Sequence, residues 1–579
     1  MGCNPDRRCC AYSNLDAGDD TPGSKRGESM AASETTGEEK TGMALLVVAS
    51  AAGTTFEWYD FFLYVPLTTI IAKVFFAGLN DAAAYVFALL SFAAGFATRP
   101  LGALIFGRIG DRLGRKATFL ITIVLMGAAT FLVGLLPGYA TAGLISPVAF
   151  IALRMFQGIA LGGEWGGAAI YIGEHASVAR RGYFTSWIGT SAAFGLGGAL
   201  VVVLAVRTGF GETAFNAWAW RIPFLLSAIL LAISIWIRMT LSESPVFKRL
   251  REQGERSTAP YAEAFGRWSN LRKVLIALCT MMVAQGAVWY CAFFYGQAFL
   301  EKIVKVAPPQ VNAILIGIVA CSAPLYVLFG WLSDKVGRKW VMTGGMILAA
   351  AAFWPGFHMI VRYGNPALAE ASRSAPVVVT ADPASCALQF DPVGKTQFRS
   401  SCDIAKSVLT NAGVSYHNVA APAGALATVQ VGGQTIPSVD GTALAPKALK
   451  AAKAVVEAKL KAALKSAGYP DKADPNRTDV WGIFWVILLF TVGATALYGP
   501  QAACLVELFP ARIRYTALSL PYHIGTGWVG GFLPAVAYAM VTATGDLYFG
   551  LWYPITATVF AIICSILFLP ETRGRDLNV

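Results

Sequence analysis

Long apolar runs separated by short polar breaks fill most of this chain. Twelve can be marked, at 44–70, 85–106, 117–136, 147–172, 183–206, 220–240, 273–299, 311–332, 340–361, 481–504, 516–541 and 549–569. Each is close to the ~20 residues that a helix needs to cross ~30 Å of hydrocarbon. The runs are continuously apolar, so helices, which satisfy their own backbone polar groups, fit them. The ~10-residue alternating strands of a membrane barrel do not. The pattern predicts an all-α membrane protein with twelve transmembrane helices.

The polar breaks repeat. Gly107-Arg108-Ile109-Gly110-Asp111-Arg112-Leu113-Gly114-Arg115-Lys116 is answered by Gly330-Trp331-Leu332-Ser333-Asp334-Lys335-Val336-Gly337-Arg338-Lys339. Two further markers recur. A Glu is followed seven residues later by an Arg (Glu174 and Arg181, then Glu507 and Arg514), and an acidic turn closes each half (Glu243 and Glu571). The loop recurs at an offset of 223 residues, the later markers at 333 and 328, so about 110 extra residues lie between them. Residues 364–480 are polar, rich in Pro and Ala, and lack any span. The expected organisation is a disordered cytoplasmic tail (1–42) and a six-helix bundle (43–240). A cytoplasmic linker (241–272) and helices 7–9 (273–363) come next. The insertion (364–480), helices 10–12 (481–570) and a short cytoplasmic tail (571–579) complete it. The two bundles are pseudo-symmetric, as in transporters whose halves rock about a shared site.

Composition agrees: 56% of residues are hydrophobic and only 14% charged, against about a quarter in soluble domains. The formal charge of +12 would suggest nucleic acid in a soluble protein. Here the Lys and Arg concentrate in alternate loops, which assigns those loops and both termini to the cytoplasm. The insertion then lies outside. Cys386 and Cys402 are the two cysteines on that face outside the spans, and an oxidising compartment favours a disulfide between them. Val377–Thr380 and Ala427–Ile436 read as short strands and Pro446–Ala467 as an amphipathic helix, giving a small α+β domain. The alternative is a poorly ordered surface loop, since long insertions cost little closure entropy. The first 42 residues have no apolar signal core. No His/Cys cluster has metal-ligand spacing, and no phosphate-binding Gly-x-x-x-x-Gly-Lys-Ser/Thr loop is present. The chain reads as a non-enzyme without cofactor or metal. Its partners are a small solute and the bilayer, and it is a monomer.

Two groups of charges are candidates for function. At the repeated loops, Gly107, Gly114, Gly330 and Gly337 permit tight turns. Asp111 and Asp334 suit a neighbouring helix N-terminus. Arg112, Arg115, Lys116, Arg338 and Lys339 are placed to meet Glu174, Glu507, Glu243 and Glu571, with Arg181 and Arg514 nearby. Arg115 and Arg338 can reach Glu174 and Glu507 or the exit-turn acids Glu243 and Glu571, latching the ends of opposing helices. Exposed pairs of this kind are each worth only ~0–1 kcal/mol, which suits a latch broken in every cycle; the bland reading is that they only fix topology. Inside the spans lie Glu57, Asp60, Arg99, Arg154, Gln157 and Glu164. Each intramembrane charge costs ~2.5–3.5 kcal/mol, so these side chains must be paired or face a watered cavity. Functionally, an arginine grips a substrate carboxylate and a buried carboxyl carries a proton; structurally, they form permanent ion pairs. Gln285, Trp289, Tyr290, Tyr498, Gln501 and Tyr522 are candidate cavity walls, although membrane aromatics more often serve packing. His523 reads as a hydrogen-bonded structural histidine.

Several phrases carry a family resemblance: Phe56-Glu57-Trp58-Tyr59-Asp60-Phe61-Phe62, Arg99-Pro100-Leu101-Gly102, Arg154-Met155-Phe156-Gln157-Gly158, Gly162-Gly163-Glu164-Trp165-Gly166-Gly167 and Glu507-Leu508-Phe509-Pro510. With the repeated loops, they make the chain resemble the major facilitator superfamily, and within it the metabolite:proton symporters. The resemblance implies alternating-access import of a small organic acid or zwitterion with protons as coupling ion, across a bacterial inner membrane. It also implies that the latch is closed in the outward-open state. The insertion departs from shorter members. An uncoupled facilitator or exporter would share the fold, and a ligand sensor using the insertion is the reading from another class.

Overall fold

The computed structural model describes residues 25–77, 81–240, 244–255, 257–386 and 399–577. It divides into two compact units, Met1–Leu46 and Val47–Val579. Among the described residues, ten helical segments are long and apolar enough to cross a membrane, from Lys116–Leu135 to Phe549–Phe568. The first two expected spans fall on the helices Lys25–Phe62, Tyr64–Phe75 and Asp81–Leu113, which are not among those ten.

The glycines of the repeated loops set where helices stop. Gly114 (φ 113°) separates Asp81–Leu113 from Arg115–Leu135, and Gly337 (φ 118°) separates Pro308–Val336 from Arg338–Gly364. These left-handed conformations are open to glycine without the Cβ penalty. Each loop is therefore a one-residue joint between two long helices, and the charges on either side of it are held on rigid elements.

Helices before Thr240 form a first block, those from Trp268 a second. In the first, Asp81–Leu113 packs along Ile145–His175 and Arg115–Leu135 along Ile222–Thr240; in the second, Arg338–Gly364 packs along Val480–Tyr498. Several contacts cross between blocks, and two are the most extensive. Arg514–His523 lies against Asp81–Leu113, and Pro308–Val336 against Trp187–Ala217. Small residues permit the close approaches within a block. A Cβ at Gly158 would lie 2.0 Å from the Gly95 carbonyl oxygen. Gly158→Ala is therefore expected to cost about 1–3 kcal/mol through overpacking, measured as a lower melting temperature of purified protein. The second block also departs from regular helix. π-helical turns occur at Leu278–Met282, Cys291–Tyr295, Phe299–Val304 and Ile524–Gly530, flanking Gln285, Trp289, Tyr290, Tyr522 and His523. Such turns often mark functional sites.

The insertion is ordered over its described residues and carries a sheet with strand order β2-β1-β3-β4. β1 (Val377–Ala381) is parallel to β2 (Tyr416–Ala420) and antiparallel to β3 (Thr428–Val431), which pairs antiparallel with β4 (Gln434–Pro437). Three α-helices, Pro366–Ser374, Ser401–Asn411 and Pro446–Ser466, complete its described residues. The single strand expected at 427–436 is instead a hairpin. Gly432 and Gly433, at φ 51° and 85°, form the two-residue turn that a Gly-Gly pair favours. β2 and the Ser401–Asn411 helix have weaker patterns and were not anticipated. Cys386 and Cys402 are joined by a disulfide. Hydrogen bonds fasten the insertion to the second block at two places. At one, Ala473 N–H donates to the Lys305 carbonyl (3.1 Å) and Lys305 Nζ to the Pro470 carbonyl (3.3 Å). At the other, Tyr416 N–H donates to the Gly545 carbonyl (2.9 Å) and Asn418 Nδ2 to the Thr544 carbonyl (2.8 Å).

Candidate functional site

The repeated loops meet the opposite block. The Asp111 carboxylate accepts from the backbone N–H groups of Tyr515 (3.2 Å) and Thr516 (2.9 Å), at the start of helix Arg514–His523. Asp334 accepts from Gly182 (2.9 Å) and Tyr183 (2.8 Å), at the start of helix Arg181–Thr185. Each aspartate thus caps a helix N-terminus of the other block, where the helix dipole and unsatisfied N–H groups favour an anion. Gly107 lies under Thr516 and Gly330 under Gly182 and Ser186, which brings the two backbones close enough for these caps.

The Glu and Arg markers pair across the blocks. Arg514 Nη1 donates to Glu174 (2.7 Å) and Arg181 Nη1 to Glu507 (3.0 Å). Arg338 joins Asp334 (2.6 Å) and Glu507 (3.3 Å). Arg338 therefore meets Glu507 as anticipated, and Arg514 is one partner of Glu174, while the expected Arg115–Glu174 pairing falls on a side chain outside the described residues. Glu243 and the Arg115 side chain lie outside the described residues. Glu571 caps the helix that starts at Arg338, accepting from the Arg338 N–H (2.9 Å) and Lys339 N–H (3.2 Å). Lys116 and Lys339 donate to helix-end carbonyls of Met239 and Ile566, both at 2.9 Å. Arg112 donates to the Thr258 carbonyl. The expectation of exposed, weak pairs is corrected: the cross-block side chains of Arg181, Glu507, Arg514 and Glu174 are at most 3% exposed. Removing one member of a buried pair leaves an uncompensated charge and costs ~3–5 kcal/mol.

Deeper in the bundle, Arg238 Nη2 bridges Glu57 (3.0 Å) and Glu164 (2.6 Å), all three being buried. Arg238 was not anticipated. It stands two residues before the end of an apolar helix, Ile222–Thr240, where a cation ordinarily snorkels to the interface. Asp60, one turn from Glu57, has a different partner, the Ser227 hydroxyl at 2.5 Å. Arg154 Nη1 donates to Gln157 Oε1 (2.7 Å), and Gln157 Nε2 to Thr130 (2.7 Å). The Arg154 guanidinium lies 3.6 Å from the Tyr64 ring centre.

Arg99 stands apart. It is fully buried, and its three guanidinium nitrogens make no hydrogen bond of good geometry among the described residues, although the Tyr290 and Tyr522 hydroxyls lie close enough to interact with it. It is flanked by the rings of Trp58 (5.9 Å), Phe61 (5.8 Å) and Phe96 (5.3 Å). From the second block, Gly527 approaches its Cβ, and Tyr290, Tyr522 and His523 lie within its electrostatic reach. Tyr522 stacks on Trp165 (3.8 Å, 4°) and its hydroxyl lies 3.1 Å from that of Tyr498. Trp289 Nε1 donates to the Tyr326 hydroxyl (2.8 Å). Among the described residues, further polar atoms are buried without a hydrogen bond of good geometry: Gln285 Oε1, Gln501 Oε1, Trp165 Nε1 and both ring nitrogens of His523. The His523 ring does lie against the Gly162 backbone, which fits the structural histidine expected. Gln501 makes one weak contact, to Met282 Sδ at 3.8 Å. Natural proteins seldom leave so many buried polar groups unsatisfied without a functional reason. A cation among aromatic rings, ringed by unused donors and acceptors from both blocks, is suited to a small polar solute.

Residues 45–263 and 248–380 match the sugar (and other) transporter family. The proline/betaine transporter of Salmonella typhimurium is 33% identical over 327 residues, covering 54% of this chain and 64% of that protein. The shikimate transporter of Escherichia coli is 31% identical over 322 residues (54% and 71%). The inner membrane metabolite transport protein YhjE of Escherichia coli is 32% identical over 330 residues (56% and 74%). The chain spans 64% of the length of the proline/betaine transporters it matches. Among solved structures, the proton:xylose symporter XylE bound to 6-bromo-6-deoxy-D-glucose superposes with a TM-score of 0.61 at 16% identity, over 93% of this chain and 98% of that one; at that identity it shows the fold. The helices that can cross a membrane and the matched sequence agree: this chain is a multi-pass member of the sugar (and other) transporter family.

Proposed function

We propose that the protein imports a small organic acid or zwitterion together with protons, by alternating access between its two blocks. The observation that carries this reading is the lone Arg99 guanidinium. Its planar fork matches a carboxylate bidentately, and the surrounding rings suit the cationic or apolar part of a zwitterion. The relatives' names point the same way: proline, betaine and shikimate each carry a carboxylate. A hydrophobic exporter would gain nothing from a buried, unpaired cation.

For coupling, Glu57, Glu164 and Arg238 form a compact charge device. Two ionised carboxylates on one guanidinium carry a net charge of −1, which a single proton cancels. One oxygen of each carboxylate has no hydrogen-bond partner among the described residues, so either can take that proton. Asp60 is the second proton-carrier candidate. In this reading twelve helices cross an inner membrane, both termini and the repeated loops face the cytoplasm, and residues 364–480 lie outside. The cross-block caps and ion pairs then close the cytoplasmic entrance.

Coupling is tested in proteoliposomes with a carboxylate solute that the protein accumulates. Addition of solute should alkalinise the outside medium. Glu164→Gln should retain solute exchange across equal concentrations but lose accumulation driven by a pH gradient. Accumulation by Glu164→Gln at the wild-type level would remove the triad from coupling, and solute flux without any proton movement would favour the uncoupled facilitator.

A further inference from the structure

The insertion has chemistry that solute transport does not use. β1, the Ser401–Asn411 helix and β2 form a β-α-β unit, because β1 and β2 are adjacent and parallel. Cys386 follows β1 by five residues, and Cys402 is the second residue of the crossover helix. The two are disulfide-bonded at a Cα separation of 5.2 Å and a sequence separation of 16. A cysteine pair between the first strand of such a unit and the N-terminus of its helix is where thioredoxin-like proteins place their exchange centre. The long spacing hides that placement from a search for Cys-x-x-Cys.

Three further observations separate this pair from a simple staple. The sulfurs are unequal: Cys402 is fully buried and Cys386 partly exposed, so an incoming thiolate has one accessible target. Cys386 is held in place rather than loose. The Asp382 carboxylate accepts from Ala384 N–H (2.9 Å) and Gly424 N–H (2.8 Å), and those bonds keep the Asp382 carboxyl below its usual range. Finally, Cys402 sits in the first turn of its helix, and Lys406 lies one turn on, on the same face, with 8% exposure. The Lys406 ammonium interacts with the buried Asp403 carboxylate beside Cys402, so those two charges offset each other. The helix N-terminus favours a thiolate on Cys402.

We propose that Cys386 and Cys402 form a thiol–disulfide exchange centre whose co-substrate is a dithiol. A thiolate of the dithiol attacks Cys386 Sγ. The bond between Cys386 and Cys402 breaks, its electron pair leaves on Cys402 Sγ, and a mixed disulfide forms on Cys386. The second thiolate of the dithiol attacks its own sulfur in that mixed disulfide and releases Cys386 as a thiolate. The dithiol has become a disulfide and lost two electrons. The two cysteines have gained them, and take up through solvent the two protons that the dithiol gave up.

The test uses the purified full-length protein in detergent, with its free thiols first blocked by N-ethylmaleimide. Dithiothreitol is then added without denaturant, and new thiols are counted by mass after a second maleimide. Two should appear per chain, both mapping to Cys386 and Cys402. The same blocked protein should accelerate the reduction of hydroxyethyl disulfide by dithiothreitol about tenfold over protein alkylated at both cysteines after reduction. Thiols that appear only after unfolding overturn the proposal, as do thiols that appear with no acceleration; either result makes the bond a structural staple. Neither outcome touches the transport reading, which rests on other residues.

Discussion

Arg99→Ala is expected to lower the affinity for a carboxylate solute by two to three orders of magnitude while leaving the protein at least as stable as wild type. The binding loss follows from truncating one partner of a buried, hydrogen-bonded charge pair, about 2–5 kcal/mol. The stability effect has the opposite sign because the empty site already bears the cost. A buried guanidinium without hydrogen bonds of good geometry is unfavourable, and its aromatic neighbours offset only ~0.5–2 kcal/mol. Function and stability therefore separate at this position, as they do where a site is held in readiness for a ligand. Arg99→Lys should not restore binding, since an ammonium offers a point charge where a planar fork is needed. Arg154→Ala should behave differently. It abandons the Gln157 oxygen and the Tyr64 ring, so its melting temperature should fall. A thermal-shift and uptake series on the three variants checks this. Wild-type affinity for every carboxylate tested in Arg99→Ala would remove the guanidinium from recognition.

The second large effect concerns the two cross-block ion pairs. Arg514→Ala removes the partner of Glu174, and Arg181→Ala removes that of Glu507 from across the interface. Each truncation costs the closed arrangement up to ~3–5 kcal/mol. Moving a two-state equilibrium from 99:1 to 1:99 takes ~5.5 kcal/mol. One substitution should therefore populate the state open at the repeated-loop end, and both together should make it dominant. Leu113 and Val336, 66% and 55% exposed at the two loops, are suitable sites for cysteine-attached spin labels. Their distance distribution should broaden in the single variants and shift outward in the double one. The reciprocal exchange, Arg514→Glu with Glu174→Arg, should recover the short distance. An unchanged distribution in the double variant would mean that the helix caps alone hold the interface.

Much of this architecture is legible in the sequence because it is written twice. The two loops, the two Glu and Arg markers and the jump in their offset locate the duplication and the insertion from numbering alone. Partner choice is not legible in the same way. Arg338 was expected to reach Glu507 and does so, but the numbering gives no sign that Arg181 reaches Glu507 and Arg514 reaches Glu174 from the opposite block. Arg238 was hidden for another reason: its position near a helix end has an ordinary explanation, and only the fold brings it between Glu57 and Glu164. The strength of the latch also depended on three-dimensional context, since the same charges are weak on a surface and costly to separate when buried. In the insertion, Gly432-Gly433 was a readable hairpin signal, whereas β2 has four of its five residues exposed and offers no alternating pattern to read.

The attachment of the insertion has a mechanical consequence. Its hydrogen bonds to the rest of the protein land at Lys305 and near Gly545, both on the second block. If the blocks rock as proposed, a body bolted at two separated points to one of them travels with that block without being deformed. The sheet then acts as a pointer that swings with its carrier and magnifies a small tilt at the base into a larger sweep at the tip. A dye on that tip would follow the working stroke without touching the moving joint.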